Sequence, residues 1–125
     1  MAIRGLIVDD NEPFLDAARV LLEREGMIVA GVARTSAEAL RQIEALKPDV
    51  VLVDIFLGDE SGLELARRVT GSQDGDVTVV LISTHSAADL SGLIAESPAA
   101  GFIPKAELSA SAISRIVEGS AERWN

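Results

Sequence analysis

The N-terminal segment Ile3-Arg4-Gly5-Leu6-Ile7-Val8-Asp9-Asp10 is a short, largely apolar run that stops at two aspartates. Three later runs stop in the same way: residues 50–53 at Asp54, residues 77–82 at Ser83 and residues 101–104 at Lys105. Short runs rich in Val and Ile that lack alternation are typical of strands buried on both faces. If these runs are parallel strands of one sheet, their polar ends meet at its carboxyl edge, where open α/β sheets bind ligands.

Segments with helical spacing separate the runs, and residues 28–33 supply a fifth run. The apolar stripes of the five segments are Phe14, Ala18, Leu21 and Leu22; Leu40, Ile43 and Leu46; Leu63, Ala66 and Val69; Leu90, Leu93 and Ile94; and Ala112, Ile113, Ile116 and Val117. Five βα units with short connections predict an α/β fold, a doubly wound five-stranded parallel sheet with helices on both faces.

The chain has 125 residues, enough for one domain with a core and too few for two of ordinary size. We expect residues 1–120 to form that domain, and residues 121–125 a short tail in which Trp124 rests on the last helix. Since the sequence shows no linker after Ser120, we expect a stand-alone domain, the alternative being a piece of a larger regulator. The sequence also lacks cysteine and any apolar run near the about 20 residues of a membrane span, so we expect a cytoplasmic protein without membrane contact.

The net charge is −9, and a field of that sign repels phosphate backbones, so we expect no direct binding of nucleic acid. Within this acidic chain, Asp9, Asp10 and Asp54 need a separate explanation. Two carboxylates about 4 Å apart repel by roughly 4 kcal/mol at an effective dielectric near 20. Mg²⁺ (or Mn²⁺) is the natural occupant of such a cluster, because Mg²⁺ takes hard oxygen ligands from one or two carboxylates.

The ordered set of polar strand ends resembles the receiver domain of two-component response regulators over essentially the whole chain. The matching residues are, in chain order, Asp9, Asp10, Asp54, Gly62, Ser83, Phe102 and Lys105. Gly62 stands where this family has a glycine opening the third helix, and Phe102 stands at the family's rotamer-switch position. The resemblance implies a (βα)5 flavodoxin-like receiver fold with strand order 2-1-3-4-5.

The resemblance also implies a function. Asp54 would accept a phosphoryl group from the phosphohistidine of a histidine kinase or a histidine phosphotransfer protein. Asp10, Asp54 and the main-chain carbonyl of Phe56 would bind Mg²⁺ directly, and Asp9 mainly through water. Lys105 would pair with Asp54 at rest and with a phosphoryl oxygen afterwards. Such a protein is a phosphoacceptor switch that catalyses only its own phosphorylation and dephosphorylation.

Switching in this family begins at the end of strand four. The Ser83 hydroxyl would donate to the phosphoryl group, and Phe102 would turn into the space that the loop leaves. The output protein would bind the face built by helix four, strand five and helix five, which here includes Leu90, Leu93 and helix 108–118. We expect a monomer or a phosphorylation-dependent dimer.

Four positions near the site bear on its behaviour. Gly58 replaces the usual proline, which favours a more mobile loop, and Ala106 follows the lysine where many receivers have proline, which favours a trans bond or a different loop. Phe56, two residues after Asp54, either shields the acyl phosphate from water or packs against a neighbouring loop. His85, two residues after Ser83, would line the same path and is expected to be an exposed loop residue.

Two other classes of protein share this kind of sheet. A small Mg²⁺-dependent phosphatase of the haloacid dehalogenase type needs two acids separated by one residue after strand one, whereas Asp9 and Asp10 are adjacent. A flavin or nucleotide binder of flavodoxin-like fold needs a turn rich in glycine or hydroxyl groups, and residues 9–12 would repel a phosphate unless a cation intervened. The receiver interpretation is the one that the sequence favours.

Overall fold

The structure, a computed structural model, describes residues 2–71 and 77–122, with side chains described as far as residue 119. The sheet strands are β1 (Arg4–Val8), β2 (Ile28–Ala33), β3 (Val50–Asp54), β4 (Thr78–Ser83) and β5 (Gly101–Pro104). The helices are α1 (Glu12–Arg24), α2 (Ser36–Leu46), α3 (Gly62–Thr70), α4 (Ser91–Glu96) and α5 (Ala110–Glu122). The predicted position of Trp124 lies outside the described residues.

The five strands form one parallel sheet in the order β2-β1-β3-β4-β5, which confirms the predicted fold class and strand order. The register pairs Val8 with Val53, Asp54 with Ile82 and Ser83 with Pro104. The ends of β1, β3, β4 and β5 therefore share the carboxyl edge of the sheet, as the sequence pattern requires.

Both faces of the sheet are covered, because alternate residues of each strand point to opposite sides. On β3, Val51 and Val53 join the core that includes residues of α2 and α3, while Val50 and Leu52 join the core that includes residues of α1 and α5. These four side chains are fully buried. Each buried aliphatic side chain contributes about 1.5–3 kcal/mol to folding, so β3 is the central support of the site. In the described part of the chain, no helix has the length and apolar character needed to cross a membrane.

Side-chain caps place the starts of two helices beside the carboxyl edge. Asn11 caps α1, since its side-chain oxygen accepts a hydrogen bond from the main-chain N–H of Phe14 at 3.1 Å, and Pro13 lies in the first turn. Ser61 caps α3 by accepting from the main-chain N–H of Glu64 at 3.4 Å. The caps satisfy amide groups that a helix start leaves unpaired, so both helices begin at defined points near the sheet.

The connection from β3 to α3 is a short antiparallel hairpin that the sequence pattern did not predict. Phe56–Leu57 pairs with Glu60–Ser61, and Gly58 and Asp59 form the two-residue turn between them. Gly58 has φ +59°, which a two-residue hairpin favours at its first turn position. Proline fixes φ near −65°, so it cannot occupy this position. The greater mobility expected of this loop stays a prediction.

The chain after β5 also departs from a plain loop. Residues Lys105–Glu107 form one turn of 3₁₀ helix, and the bond between Lys105 and Ala106 is trans, as the alanine favours. Helix α5 then begins at Ala110 and its backbone stays helical to Glu122, beyond the range 108–118 expected from the apolar stripe.

Candidate functional site

Three carboxylates converge at the carboxyl edge of the sheet. One oxygen from each of Asp9, Asp10 and Asp54 lies within 4.8 Å of the others. Asp9 and Asp54 are buried, whereas Asp10 is exposed. The convergence follows from the fold, because Asp9 and Asp10 continue from β1 and Asp54 ends the neighbouring strand β3. The structure therefore brings together the three acids that the sequence singled out.

Asp9 is the most enclosed member of the cluster, with a relative exposure of 0%. Its Oδ1 accepts a hydrogen bond from the main-chain N–H of Asn11 at 2.9 Å. Its Oδ2 is buried and forms an ion pair with the ammonium group of Lys105, whose nitrogen lies 2.6 Å away. A buried carboxylate is costly unless a charge compensates for lost hydration, and Lys105 supplies that charge.

Asp54 uses both of its carboxylate oxygens in the structure. Oδ1 accepts from the main-chain N–H of Phe56 at 3.1 Å, and Oδ2 accepts from Lys105 Nζ at 3.1 Å. Burial and then the negative charge of Asp9 raise the pKa of Asp54, against the opposing effects of Lys105 and the Phe56 amide. The ionised form of Asp54 is therefore unfavourable in the folded protein, and an added cation would stabilise it.

The backbone behind Asp54 is packed against the start of α3. Gly62 donates its main-chain N–H to the carbonyl of Ile55 at 2.9 Å. A Cβ atom at Gly62 would lie 1.8 Å from the Asp54 carbonyl oxygen, far inside any contact distance. Only glycine fits this approach, which explains why the predicted glycine opens the third helix.

Lys105 reaches the cluster from the end of β5. Its side chain is 11% exposed, and its Nζ contacts both Asp9 and Asp54. The family resemblance implied the pairing of Lys105 with Asp54, and the closer contact with Asp9 is additional. Burial opposes the charged form, but the contacts with Asp9 and the charge of Asp54 outweigh it and raise the pKa of Lys105.

The charges and donor types of the cluster fit a divalent cation. Three carboxylates and one ammonium leave two negative charges uncompensated. Carboxylate oxygens are hard ligands of the kind that Mg²⁺ prefers, and Mg²⁺ keeps several waters and so does not require a complete protein cage. Exposed Asp10 leaves the cluster open to solvent, which suits an ion that must be able to enter and leave.

Ser83 ends β4 and is fully buried. Its hydroxyl oxygen accepts from the main-chain N–H of His85 at 3.1 Å and lies 3.3 Å from His85 Nδ1. Phe102 is half-buried and packs against the core that contains Leu90, as Ile94 does. Ser83 therefore lies at the start of the connection between β4 and α4, and Phe102 lies on the neighbouring strand β5, against the same core as Leu90 at the end of that connection.

Phe56 and His85 form one wall of the site. The Phe56 side chain is 49% exposed, and its ring centre lies 5.3 Å from that of the exposed His85, with the planes tilted by 59°. Together with the three acids, Lys105 and Thr84, they line an open cleft of about 730 Å³. The contact with the loop after β4 is present, as one of the two interpretations of Phe56 expected.

Three contacts in and near the site were not predicted from the sequence. Phe14 places its ring 4.2 Å from the ammonium of Lys105. The main-chain N–H of Asn11 donates to Asp9, and the Asn11 side-chain oxygen accepts from the start of α1. Glu60 in the hairpin accepts a hydrogen bond from the main-chain N–H of Ser36 at 2.9 Å, which ties the hairpin to the start of α2. Asn11 before Glu-Pro was a visible cap signal; the other two contacts depend on tertiary placement.

A family model described as "Response regulator receiver domain" matches residues 6–117 of this chain. The chain belongs to the receiver domain family. The response regulator GacA of Pseudomonas viridiflava is 33% identical over 104 residues, which cover 82% of this chain and 48% of that protein. The response regulator UvrY of Escherichia coli O6:H1 is 30% identical over 115 residues, which cover 91% of this chain and 52% of that protein. The chain thus spans about half the length of these relatives.

Solved structures agree with the assignment. A CheY-like response regulator receiver domain protein from Methanospirillum hungatei JF-1 superposes with a TM-score of 0.77 at 29% identity, covering 98% of this chain and 96% of the other. A two-component response regulator of the LuxR family from Aurantimonas sp. SI85-9A1 gives 0.80 at 27% identity, covering 95% of this chain and 87% of the other.

The family assignment decides between the classes of protein that the sequence left open. The chain is a receiver domain of the two-component type, whose role is that of a phosphoacceptor switch, and the phosphatase interpretation has no support. Some relatives attach such a domain to an enzyme: a protein-glutamate methylesterase/protein-glutamine glutaminase of Bacillus licheniformis is 34% identical over 104 residues, 29% of its length.

Proposed function

We propose that Asp54 accepts a phosphoryl group from the phosphohistidine of a histidine kinase or a histidine phosphotransfer protein, in a reaction that requires Mg²⁺ or Mn²⁺. The observation that carries this proposal is the position of Lys105 Nζ. It lies 3.1 Å from Asp54 and 2.6 Å from Asp9, inside a cluster of acids that span no more than 4.8 Å. A cation beside a carboxylate nucleophile is the arrangement that phosphoryl transfer needs.

In the transfer, an oxygen of Asp54 forms a bond to phosphorus while the bond from phosphorus to the donor's imidazole nitrogen breaks. The electron pair of the broken bond stays on the imidazole, and the product is an acyl phosphate on Asp54. Lys105 neutralises charge on a phosphoryl oxygen as a compact point charge. A short shift of its ammonium from Asp54 Oδ2 to the adjacent phosphoryl oxygen frees that carboxylate oxygen, whereas the Phe56 amide continues to orient Oδ1.

Asp10, Asp54 and the main-chain carbonyl of Phe56 would hold the metal ion directly, and Asp9 would act mainly through water. When bound, the ion supplies positive charge that offsets the acids and the transferring phosphoryl oxygens. The domain itself must supply the positioning: Asn11 orients Asp9, and the close packing of Gly62 fixes the backbone of Asp54.

The added phosphoryl group carries about −1.5 to −2 charges and three acceptor oxygens. We propose that the Ser83 hydroxyl donates to one of them, and that Phe102 turns as the loop moves. The face of α4, β5 and α5 then binds an output protein, and Leu93, 41% exposed, is a contact available on it. We infer a non-enzymatic switch in the cytoplasm, monomeric or dimerising on phosphorylation, with residues 1–120 as the receiver unit.

Intact-mass measurement after incubation with acetyl phosphate and Mg²⁺ tests the assignment of Asp54. We expect one added phosphoryl group on the wild type and none on Asp54→Asn or in the presence of EDTA. Asp59→Asn is the matched control, because Asp59 is an exposed acid five residues along that is not part of the metal cluster. It should be phosphorylated like the wild type.

Addition to Asp54→Asn at the wild-type level would show that another residue accepts the phosphoryl group. If the wild type gains no mass, a beryllofluoride titration followed by NMR separates rapid hydrolysis from a site that takes no phosphoryl group. Chemical-shift changes at the ends of β3 and β4 would indicate a working site, and unchanged spectra would contradict the proposal.

A further inference from the structure

The ammonium group of Lys105 is enclosed by two acids and one aromatic ring. Nζ lies 2.6 Å from Asp9 Oδ2, 3.1 Å from Asp54 Oδ2 and 4.2 Å from the centre of the Phe14 ring. A cation over an aromatic face at this distance is attracted by the ring quadrupole, and more strongly when both partners are shielded from water. The ring therefore forms a third wall around a lysine whose side chain is 11% exposed.

The ring is held in place by the same short segment that holds Asp9. The main-chain N–H of Asn11 donates to Asp9 Oδ1 at 2.9 Å, and the Asn11 side-chain oxygen accepts from the main-chain N–H of Phe14 at 3.1 Å. Phe14 is half-buried and packs against the core that contains Leu15 and Ile113. Four contacts therefore link these residues in a ring: Asp9 with Asn11, Asn11 with Phe14, Phe14 with Lys105, and Lys105 with Asp9.

We propose that Phe14 is a positioning residue for phosphoryl transfer, and that its ring holds the Lys105 ammonium between Asp9 and Asp54. A lysine carries a compact charge on a flexible stem, so attraction to the acids alone leaves the ammonium free to move among their oxygens and solvent. The chemical consequence rests on the proposed function of Asp54. The contact itself acts on the cluster before any phosphoryl group arrives.

The proposal predicts opposite effects on metal binding and on phosphoryl transfer. An ammonium held against Asp54 and Asp9 competes with Mg²⁺ for the same oxygens and repels it. A ring that keeps the ammonium there therefore weakens Mg²⁺ binding in the resting protein. It also keeps the charge ready for the phosphoryl oxygens, which speeds transfer. Damage to the fold would lower both quantities.

The test compares Phe14→Leu with Phe14→Tyr. Leucine keeps an apolar side chain against the core but has no aromatic face, and tyrosine keeps the face. Mg²⁺ affinity is measured by NMR titration without a phosphodonor, and the phosphorylation rate with acetyl phosphate at saturating Mg²⁺. For Phe14→Leu we expect about three- to tenfold tighter Mg²⁺ binding and about three- to tenfold slower phosphorylation. Phe14→Tyr should restore both to within about twofold.

A second comparison shows whether Phe14 acts through Lys105. In a Lys105→Met background, Phe14→Leu should leave the Mg²⁺ dissociation constant the same within about 1.5-fold, because no ammonium remains to be held. Weaker Mg²⁺ binding in Phe14→Leu, or an undiminished effect in the Lys105→Met background, would overturn the proposal. If the wild type takes no phosphoryl group, the proposed function of Asp54 fails, and the Mg²⁺ comparison still decides the role of Phe14.

Discussion

At the ends of β1, β3 and β5, the carboxyl edge of the sheet is held by a network of buried charges, whereas at the end of β4 it is held by one hydroxyl and a short helix. We call the first region, Asp9, Asp54 and Lys105 with their neighbours, the charged half. The second, residues 83–97, is the switch half. Helix α4 in the switch half has six residues, no side-chain cap and no buried residue of its own.

The difference separates two tasks. In the charged half, Lys105 after β5 contacts both Asp9 after β1 and Asp54 at the end of β3, so a shift of its ammonium disturbs contacts with two other strands. In the switch half, the Ser83 hydroxyl has its described partners on His85, two residues along the same loop. Helix α4 makes few contacts with the other elements, and regions of this kind open and rearrange at low cost. We therefore expect the chemistry to take place in the charged half and the movement in the switch half.

The largest expected difference between the halves comes from one added methyl group. Gly62→Ala would place Cβ 1.8 Å from the Asp54 carbonyl oxygen, so backbone must move. Gly92→Ala in α4 meets no atom within 4 Å. We expect Gly62→Ala to lower the free energy of unfolding by about 3 kcal/mol and Gly92→Ala to raise it by about 0.5–1 kcal/mol, measured by urea denaturation.

The rate of phosphorylation provides a second comparison of Gly62→Ala with Gly92→Ala. Gly62→Ala displaces Asp54 and should slow uptake of phosphate from acetyl phosphate, while Gly92→Ala should retain the wild-type rate. Equal stability losses in the two variants would contradict the comparison, because they would mean that α4 is packed as tightly as the start of α3.

A second, smaller effect concerns the electrostatic strain in the charged half. The pKa of Asp54 is raised by burial and by the charge of Asp9, so the ionised acid is held less favourably in the folded than in the unfolded protein. Without metal at pH 7, Asp54→Asn should therefore be more stable than the wild type. As the pH falls through the folded pKa of Asp54, the folded wild type takes up a proton first, and its stability should approach that of the variant.

Urea denaturation in EDTA over a series of pH values measures this difference. The gap between the two proteins should be widest above the folded pKa of Asp54 and close towards the ordinary value of 3.8. Addition of Mg²⁺ should stabilise the wild type more than Asp54→Asn, since the cation relieves the strain. A variant less stable than the wild type at pH 7 in EDTA would show that the bond to Lys105 outweighs the burial of the charge.

The two halves differ in how far their structure could be predicted from the sequence. The strands and the meeting of Asp9, Asp54 and Lys105 were predictable, because buried parallel strands read as apolar runs and their carboxyl ends must share an edge. The stripe of Leu90, Leu93 and Ile94 predicted a helix, but not that it would be only six residues long with no side-chain cap.

Contacts that depend on the orientation of whole elements were not predictable. Phe14 belongs to an apolar stripe, which predicts a core residue, yet the ammonium of Lys105 also lies over its ring. The hairpin after Asp54 involves strands of two residues each, too short for any periodicity to reveal. Both features follow from tertiary packing, which a pattern along the chain does not contain.

The smallest expected effect lies where the halves touch, at the rings of Phe56 and His85, whose centres are 5.3 Å apart. If bulky Phe56 shields the acyl phosphate, Phe56→Asn should accelerate dephosphorylation by about two- to fivefold, which corresponds to less than about 1 kcal/mol. The phosphorylated protein is freed of acetyl phosphate, and loss of the added mass is followed over time. An unchanged rate would mean that Phe56 only packs against the loop.

Two further variants test whether Phe56 shields the acyl phosphate by its own bulk or acts through its contact with the His85 ring, which we call bridging. Phe56→Leu keeps an apolar side chain at the cleft but removes the ring that meets His85, and His85→Ala removes the other ring and leaves Phe56 in place. Shielding by Phe56 predicts a near-normal lifetime in Phe56→Leu, whereas bridging predicts that Phe56→Leu and His85→Ala shorten it equally. In the second case the lifetime depends on how firmly the switch half is held against the charged half, because the loop that carries Ser83 and His85 then forms part of the barrier to water.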